Sequence, residues 1–139
     1  MKKNYLFFGI ILIFLFMGIK SETFAQKSPV MYFCEKWGNS GEVGIGDRFH
    51  KGYLTVVVKC DHALHLKDVH IQFDKWNANT EAFDYYKKFD YTLEPDMNYV
   101  YFSKNESSDM SFDESGIYRV FLLDDDNETI TSALIEIID

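Results

Sequence analysis

The chain has 139 residues, of which 14 are Lys or Arg and 22 are Asp or Glu, so its formal net charge is −8. This length fits one domain of ordinary size and leaves no room for two complete catalytic domains. Hydrophobic residues make up 47% of the chain and aromatic residues 17%, which excludes a disordered protein. The acidic balance argues against binding to nucleic acid or to an anionic membrane surface, because both need clustered Lys and Arg.

The N-terminal segment has the pattern of a secretory signal peptide. Two lysines near the start precede an uncharged run at residues 5–19 that is rich in Ile, Leu and Phe. The run is shorter than the roughly twenty residues that a membrane-spanning helix needs. Thr23 and Ala25 occupy the −3 and −1 positions of a cleavage site before Gln26. We therefore expect residues 1–25 to be removed on export, with an uncleaved membrane anchor as the alternative.

The sequence near the cleavage site also bears on location and on the two cysteines. Thr-Phe-Ala-Gln-Lys resembles the signal-peptide ends of Bacteroidetes-type bacteria, which implies a location in the periplasm, on the outer surface or outside the cell, with no membrane span after cleavage. In an oxidising compartment we expect Cys34 and Cys60 to form a disulfide. The alternative is two buried, reduced cysteines on neighbouring strands.

Residues 26–139 are predicted to form a single domain made of strands. Alternating apolar and polar residues, with β-branched and aromatic runs, predict strands at residues 30–35, 53–59, 69–74, 83–93, 97–102, 117–123 and 129–138. The alternation in the fourth strand is interrupted at Lys87-Lys88, where we expect a β-bulge. Helical patterns are absent, so the seven short strands predict an antiparallel β-sandwich. The Gly-rich segment 36–50 stays unassigned.

One local motif makes the fold prediction more specific. The segment Glu114-Ser-Gly-Ile-Tyr-Arg-Val resembles the immunoglobulin-fold pattern in which an acidic residue and a small pair precede a Tyr, with a Cys or a hydrophobe two residues later. The resemblance implies an immunoglobulin-like sandwich with Tyr118 as the tyrosine corner, its hydroxyl bonded to upstream backbone. It also puts Val120 where the second inter-sheet cysteine usually stands. The sequence therefore departs from a true antibody-type domain.

The side chains that could bind a metal or act in catalysis match known site motifs only in part. Cys60, His62, His65 and His70 have ligand-like spacing for zinc, but His70 alternates with core residues and the other histidines lie in a polar segment. The acidic run at residues 124–128 lacks the Gly and Glu of an EF-hand and is interpreted as a hairpin loop, with a loose calcium site as the alternative. Neither a nucleophile elbow nor a phosphate-binding loop is present. We therefore predict no enzyme activity, no cofactor and no metal site.

An apolar patch on one face of the sandwich is the remaining functional signal. If the even-numbered side chains of strand 117–123 point into the core, alternation turns Phe121 and Leu123 outward. Leu134 on the next strand and Trp76 on another lie on the same outward side. Because a contiguous apolar patch usually marks an interface, these four residues are the predicted interface. The alternative is that segment 36–50 folds over them.

These features together predict a non-catalytic secreted or periplasmic binding module that recognises a protein or a glycan. Exposed Tyr and Trp are the residue types that anchor protein interfaces and stack on sugars. The alternative is a structural or assembly subunit of the bacterial cell envelope that works by strand or sheet pairing and forms homo-oligomers. A small hydrolase is a third hypothesis. The sequence does not identify the ligand.

Overall fold

The computed structural model describes residues 27–139, and the fold of this part of the chain is all-β. The signal peptide predicted for residues 1–25 lies outside the described residues. The strands are β1 (Val30–Gly38), β2 (Gly41–Gly46), β3 (Arg48–His50), β4 (Gly52–Tyr53), β5 (Thr55–Lys59), β6 (Asp68–Asn77), β7 (Ala82–Thr92), β8 (Tyr99–Phe102), β9 (Ser111–Phe112), β10 (Gly116–Leu123) and β11 (Thr129–Ile138). Within residues 27–139 no helix has the length and apolar character to cross a membrane.

Two larger sheets form a β-sandwich. The four-stranded sheet has the order β2-β1-β5-β8, and the five-stranded sheet has the order β3-β11-β10-β6-β7. Neighbouring strands are antiparallel in both sheets, except that β3 runs parallel to β11 at one edge. A separate short ribbon pairs β4 with β9. The all-β sandwich predicted from the sequence is therefore confirmed.

Side chains that alternate along the strands of both sheets form one core between them. In β6, Val69, Ile71 and Phe73 are fully buried, whereas the residues between them are partly exposed. Val56 and Val58 of β5 enter the same core from the four-stranded sheet. This alternation is what a strand shows when one of its faces is covered and the other faces outward.

All seven strands predicted from the sequence are present, with small differences at their ends. The sequence does not predict β2, β3 and β9, and the strand predicted at 53–59 is divided at Leu54 between the short β4 and β5. A strand of two or three residues has no alternation to detect, and β2 contains three glycines, which contribute no side chain to a pattern. The prediction thus fails only where the strand is too short or too poor in side chains to carry a signal.

A β-bulge in β7 separates the two adjacent tyrosines. The pairing of β6 with β7 shifts between Phe73 and Asp74, so that Tyr86 is the extra residue. Tyr85 then points to the outside, while Tyr86 packs edge to face on the buried Tyr118, with ring centroids 5.3 Å apart. The bulge therefore lies one residue before the Lys87-Lys88 position predicted for it.

The β1–β2 hairpin bends over the outer face of the four-stranded sheet. Its Trp37 ring stacks on Tyr101 of β8, with centroids 4.3 Å apart and planes 9° apart. Since β5 separates β1 from β8, this contact requires the hairpin to cross β5. The crossing accounts for the complete burial of Cys34 and Val57, which point away from the core. The segment predicted as a cover for the apolar patch thus covers part of the opposite sheet.

The predicted disulfide between Cys34 and Cys60 is not formed, and both thiols are free. The register pairs Cys34 with Thr55, whereas Cys60 lies five residues further along the chain. At about 3.3 Å per residue the two cysteines are roughly 15 Å apart, and a disulfide needs Cα atoms within about 7 Å of each other. The sequence places both cysteines on neighbouring strands but does not give the register between those strands.

Candidate functional site

The outer face of the five-stranded sheet presents a group of apolar side chains to solvent. We call it the apolar face, and it consists of Trp76, Phe83, Tyr85, Ile117, Phe121 and Leu134. Its exposed members range from Trp76, 39% accessible, to Tyr85, 66% accessible. These side chains come from four adjacent strands, so the face is continuous across the sheet. Such a group on the surface of a small domain is typical of an interaction site.

The register of the strands arranges this face in rows. In the first row Phe83 pairs with Trp76, their rings pack edge to face at 5.2 Å, and Ile117 follows on β10. The second row crosses β7, β6, β10 and β11 in the order Tyr85, Asp74, Arg119 and Leu134. Apolar side chains thus lie at both ends of the second row and opposite charges lie at its centre.

Three of the four residues predicted as an interface lie on the apolar face, and whether they bind a partner stays a prediction. Trp76 and Leu134 are exposed, and Phe121 is partly exposed. Leu123 does not belong to it, because it is only 6% accessible. The bulge in this hairpin is on β11, where Ile130 is the extra residue, while β10 pairs with β6 without interruption as far as Leu123. Leu123 therefore keeps the outward side that alternation predicts but is covered there, and a pattern of alternation gives the side of a residue without saying whether that side is covered.

Both arginines of the chain lie on the same outer face. Arg48 forms a salt bridge with Glu136 at 2.6 Å. The Arg119 guanidinium lies 5.1 Å above the Phe121 ring and donates a 3.4 Å hydrogen bond to the Ser132 hydroxyl. Arginine and the large aromatic residues are the types that contribute most binding energy in protein interfaces.

A shallow cleft of about 400 Å³ opens beside the second row. Its lining includes Ile117 and Leu134 on one side and the Arg48–Glu136 salt bridge on the other. The cleft therefore presents apolar side chains beside a pair of opposite charges. Its position next to Leu134 makes it part of the same surface.

A polar cluster joins the β1–β2 hairpin to the outside of the four-stranded sheet. The Glu42 carboxylate accepts hydrogen bonds from the hydroxyls of Tyr32 and Tyr99 and pairs with Lys59 at 2.9 Å. These contacts, the Tyr32 hydrogen bond first, lower the pKa of Glu42 to about 2. Lys59 also lies 4.1 Å from the centre of the Tyr99 ring. The cluster holds the hairpin down rather than forming an open cavity.

Tyr118 has the position and hydrogen bond that a tyrosine corner requires. Its ring is fully buried, and its hydroxyl donates a 2.8 Å hydrogen bond to the backbone carbonyl of Glu114. Burial raises the pKa of this hydroxyl. The bond fixes the chain at the point where it enters β10, four residues after the acceptor.

We expect Tyr118→Phe to lower the free energy of unfolding by about 1 kcal/mol. The loss rises to about 3 kcal/mol if no water or protein group replaces the hydroxyl as the hydrogen-bond donor to the Glu114 carbonyl. Chemical denaturation measures this loss as a shift of the midpoint. The matched control is Tyr85→Phe, because the Tyr85 hydroxyl lies on an exposed side chain. An unchanged midpoint for Tyr118→Phe would show that the hydroxyl contributes nothing.

One cluster of metal-binding side chain types lies in the loop after β5. Cys60, Asp61 and His62 bring one ligand atom each to within 4.8 Å of one another. The Asp61 carboxylate is 2.6 Å from Nδ1 of His62, and the Cys60 thiol is 3.3 Å from the same nitrogen. Three consecutive residues offer an open set of three ligands, whereas a structural zinc site has four.

Of the other predicted ligands, His65 lies further along the same loop, outside the cluster, and His70 lies on β6. Nδ1 of His70 lies 2.6 Å from the Asp90 carboxylate on the five-stranded sheet, and His65 is exposed with a positive φ of 54°. In the acidic run, the Asp124 carboxylate accepts a hydrogen bond from the Glu128 backbone N–H and closes the β10–β11 hairpin. This is the loop role predicted for residues 124–128.

The fold and this surface define a β-sandwich protein with a continuous apolar face bearing two arginines. Comparison of the chain with models of known protein families and with curated proteins found no match.

Proposed function

We propose that the protein is an exported, non-catalytic interaction module that binds another protein through the apolar face. The observation that carries the proposal is the group of exposed Trp76, Tyr85, Ile117 and Leu134 side chains on four adjacent strands. Leaving such a group in water forgoes the stabilisation that burial of apolar area would provide, about 25 cal/mol per Å². A partner that covers the face supplies that stabilisation.

The composition of the face favours a protein over a glycan. Ile117 and Leu134 are aliphatic, and Arg119 lies between Leu134 and the aromatic side of the face. A sugar is held by aromatic planes together with many hydrogen-bonding groups, whereas aromatic residues and arginine within an apolar patch are typical of protein interfaces. A glycan is therefore the second candidate, with Trp76 and Tyr85 as its stacking platform.

Assembly by strand pairing is less well supported than binding through a face. The edge strand β7 is long, but it contains the Tyr86 bulge and the Lys87 side chain points inward. The Lys87 ammonium lies 5.1 Å from the Phe112 ring centre and donates to the Asp109 carbonyl at 3.2 Å. Burial lowers the pKa of this amine. Bulges and inward-pointing charges are the features by which natural edge strands avoid pairing.

The proposal also includes export from the cell and an immunoglobulin-like fold, and each of these has its own support. Export rests on the signal-peptide pattern at residues 1–25. An immunoglobulin-like sandwich is supported by the hydrogen bond from Tyr118 to Glu114 and by the strand order of the five-stranded sheet, in which β10 lies between β6 and β11.

Site-specific photocrosslinking in cells that export the protein tests the binding face. We expect a crosslinker placed at Leu134 or Tyr85 to capture a protein, because both side chains project from the apolar face. The matched control is a crosslinker at Ile45, which is 63% exposed on β2 of the opposite sheet. Equal capture from Ile45, or no capture from the face, would contradict the proposal. Glycan binding that Tyr85→Ala abolishes, without any crosslinked protein, would favour the second candidate.

A further inference from the structure

We infer that the partner of the apolar face is a second copy of this chain, which packs against it with the two five-stranded sheets face to face. This inference rests on the proposed function, since it names the protein that the face binds. The proposed dimer has a two-fold axis that runs along the strands, between β10 and β6. Such an axis places β10 of one copy over β6 of the other, and β11 over β7.

Charge complementarity within the second row supports this arrangement. Arg119 and Asp74 are register partners on β10 and β6. Within residues 27–139, Arg119 contacts the Phe121 ring and Ser132, while the Asp74 carboxylate accepts a 2.9 Å hydrogen bond from Gln72. Arg119 and Asp74 of one copy therefore form no salt bridge with each other, although they are neighbours. The two-fold axis brings each Arg119 over the Asp74 of the other copy, twice in the dimer.

The overall charge of the face also fits a second copy. Of the 14 basic and 22 acidic side chains, three lysines and one glutamate precede residue 27, so residues 27–139 carry 11 basic and 21 acidic groups. Two copies with this excess of acidic groups repel each other unless the region where they meet is close to neutral. The outer face of the five-stranded sheet is much closer to neutral, with three basic side chains and four acidic ones: Arg48, Lys88, Arg119, Asp68, Asp74, Asp90 and Glu136.

The apolar side chains are complementary under the same two-fold axis. Tyr85 and Leu134 lie at opposite ends of the second row, so each Tyr85 ring is placed over Leu134 of the other copy, beside the cleft that Leu134 and Ile117 line. In the first row Ile117 is placed over Trp76. The most exposed aromatic ring of the face therefore meets Leu134 beside this cleft.

Two charge-reversed variants and their mixture test the arrangement by sedimentation velocity over a range of protein concentrations. In a dimer of Arg119→Asp, each contact between position 119 of one copy and position 74 of the other joins two aspartates. In a dimer of Asp74→Arg, each of these contacts joins two arginines. We expect each variant alone to dimerise about tenfold more weakly or worse, because like charges in an interface repel. In an equimolar mixture, every contact joins Asp to Arg, so the mixture should dimerise again.

The mixture separates contacts between copies from contacts within one chain, since mixing does not change either monomer. Thermal unfolding of each variant verifies that the fold is retained, and Ile45→Glu, on the opposite sheet, should dimerise like the native protein. A native protein that stays monomeric, variants that both stay dimeric, or a mixture that resembles the variants alone would each overturn the inference. Crosslinking of a monomeric protein to a different protein from Leu134 would overturn this inference and leave the proposed function standing.

Discussion

Phe112→Ala is expected to lower the free energy of unfolding by about 3–5 kcal/mol, the range for replacing a buried aromatic side chain with alanine. Phe112 is 1% accessible, and its ring packs edge to face on Phe73 at 5.3 Å and on Tyr118 at 4.9 Å. It also lies below the Lys87 ammonium. Removing the ring leaves a cavity between the two aromatic partners and takes away a neighbour of the inward-pointing lysine.

Urea denaturation followed by tryptophan fluorescence measures this loss. Phe112→Leu keeps much of the apolar volume but loses both edge-to-face pairs, so it should cost about 1–3 kcal/mol, since each pair contributes about 0.5–1.5 kcal/mol beyond its buried area. Tyr85→Ala on the exposed face should change stability by no more than about 0.5 kcal/mol. If Phe112→Ala is no more destabilising than Tyr85→Ala, then β9 is not part of the structural core.

Phe112 shows which part of a β-sandwich can be predicted from sequence alone. The alternation in β6, β10 and β11 predicts their buried residues because each strand is long and has one covered face. Phe112 lies in a two-residue strand whose partner Gly52 is distant in sequence. Its burial depends on packing against Phe73 and Tyr118 of the five-stranded sheet, and nothing in the neighbouring residues indicates it.

The candidate site was partly predictable for the same reason. Alternation identifies Trp76, Phe121, Leu123 and Leu134 as outward, but it does not show that Leu123 is covered on that side and only 6% accessible. It also leaves open whether Tyr85 or its neighbour is exposed, because the bulge at Tyr86 decides this. The juxtaposition of Arg119 and Asp74 depends on register between strands far apart in the chain, which a single sequence does not specify.

The contact of the β1–β2 hairpin with the four-stranded sheet should depend on the charge of Glu42. Two tyrosine hydroxyls and the Lys59 ammonium stabilise the ionised carboxylate, which lowers the pKa of Glu42 to about 2, while an unconstrained carboxyl has its ordinary value of 4.5. A group whose pKa is lowered by folding stabilises the folded state fully above its ordinary pKa. This stabilisation decreases as the pH falls below 4.5 and is lost below about 2.

Trp37 reports on this contact because its ring stacks on Tyr101 beneath the hairpin. The chain has two tryptophans, so a Trp76→Phe background leaves Trp37 as the sole fluorophore of that type. We expect acrylamide to quench Trp37 weakly at neutral pH and more strongly as the pH falls from about 4.5 to about 2. Glu42→Gln should already show stronger quenching at neutral pH, because it cannot form the ion pair with Lys59. Its remaining pH dependence measures the contribution of all other carboxyl groups.

The labelling rate of Cys34 at neutral pH is a second measure of hairpin opening, and the expected change is larger than the change in Trp37 quenching. Cys34 is completely buried beneath the hairpin, and burial raises the pKa of its thiol, so few molecules carry the reactive thiolate. In a Cys60→Ser background, Trp37→Ala or Glu42→Ala should accelerate the labelling of Cys34 by about tenfold or more, since the hairpin opens locally without global unfolding. Ile45→Ala in the same hairpin is the matched control, because Ile45 is exposed and should not affect closure. Equal labelling rates in all these variants, with unchanged global stability, would mean that Cys34 becomes accessible by a motion that does not involve Glu42 and Trp37.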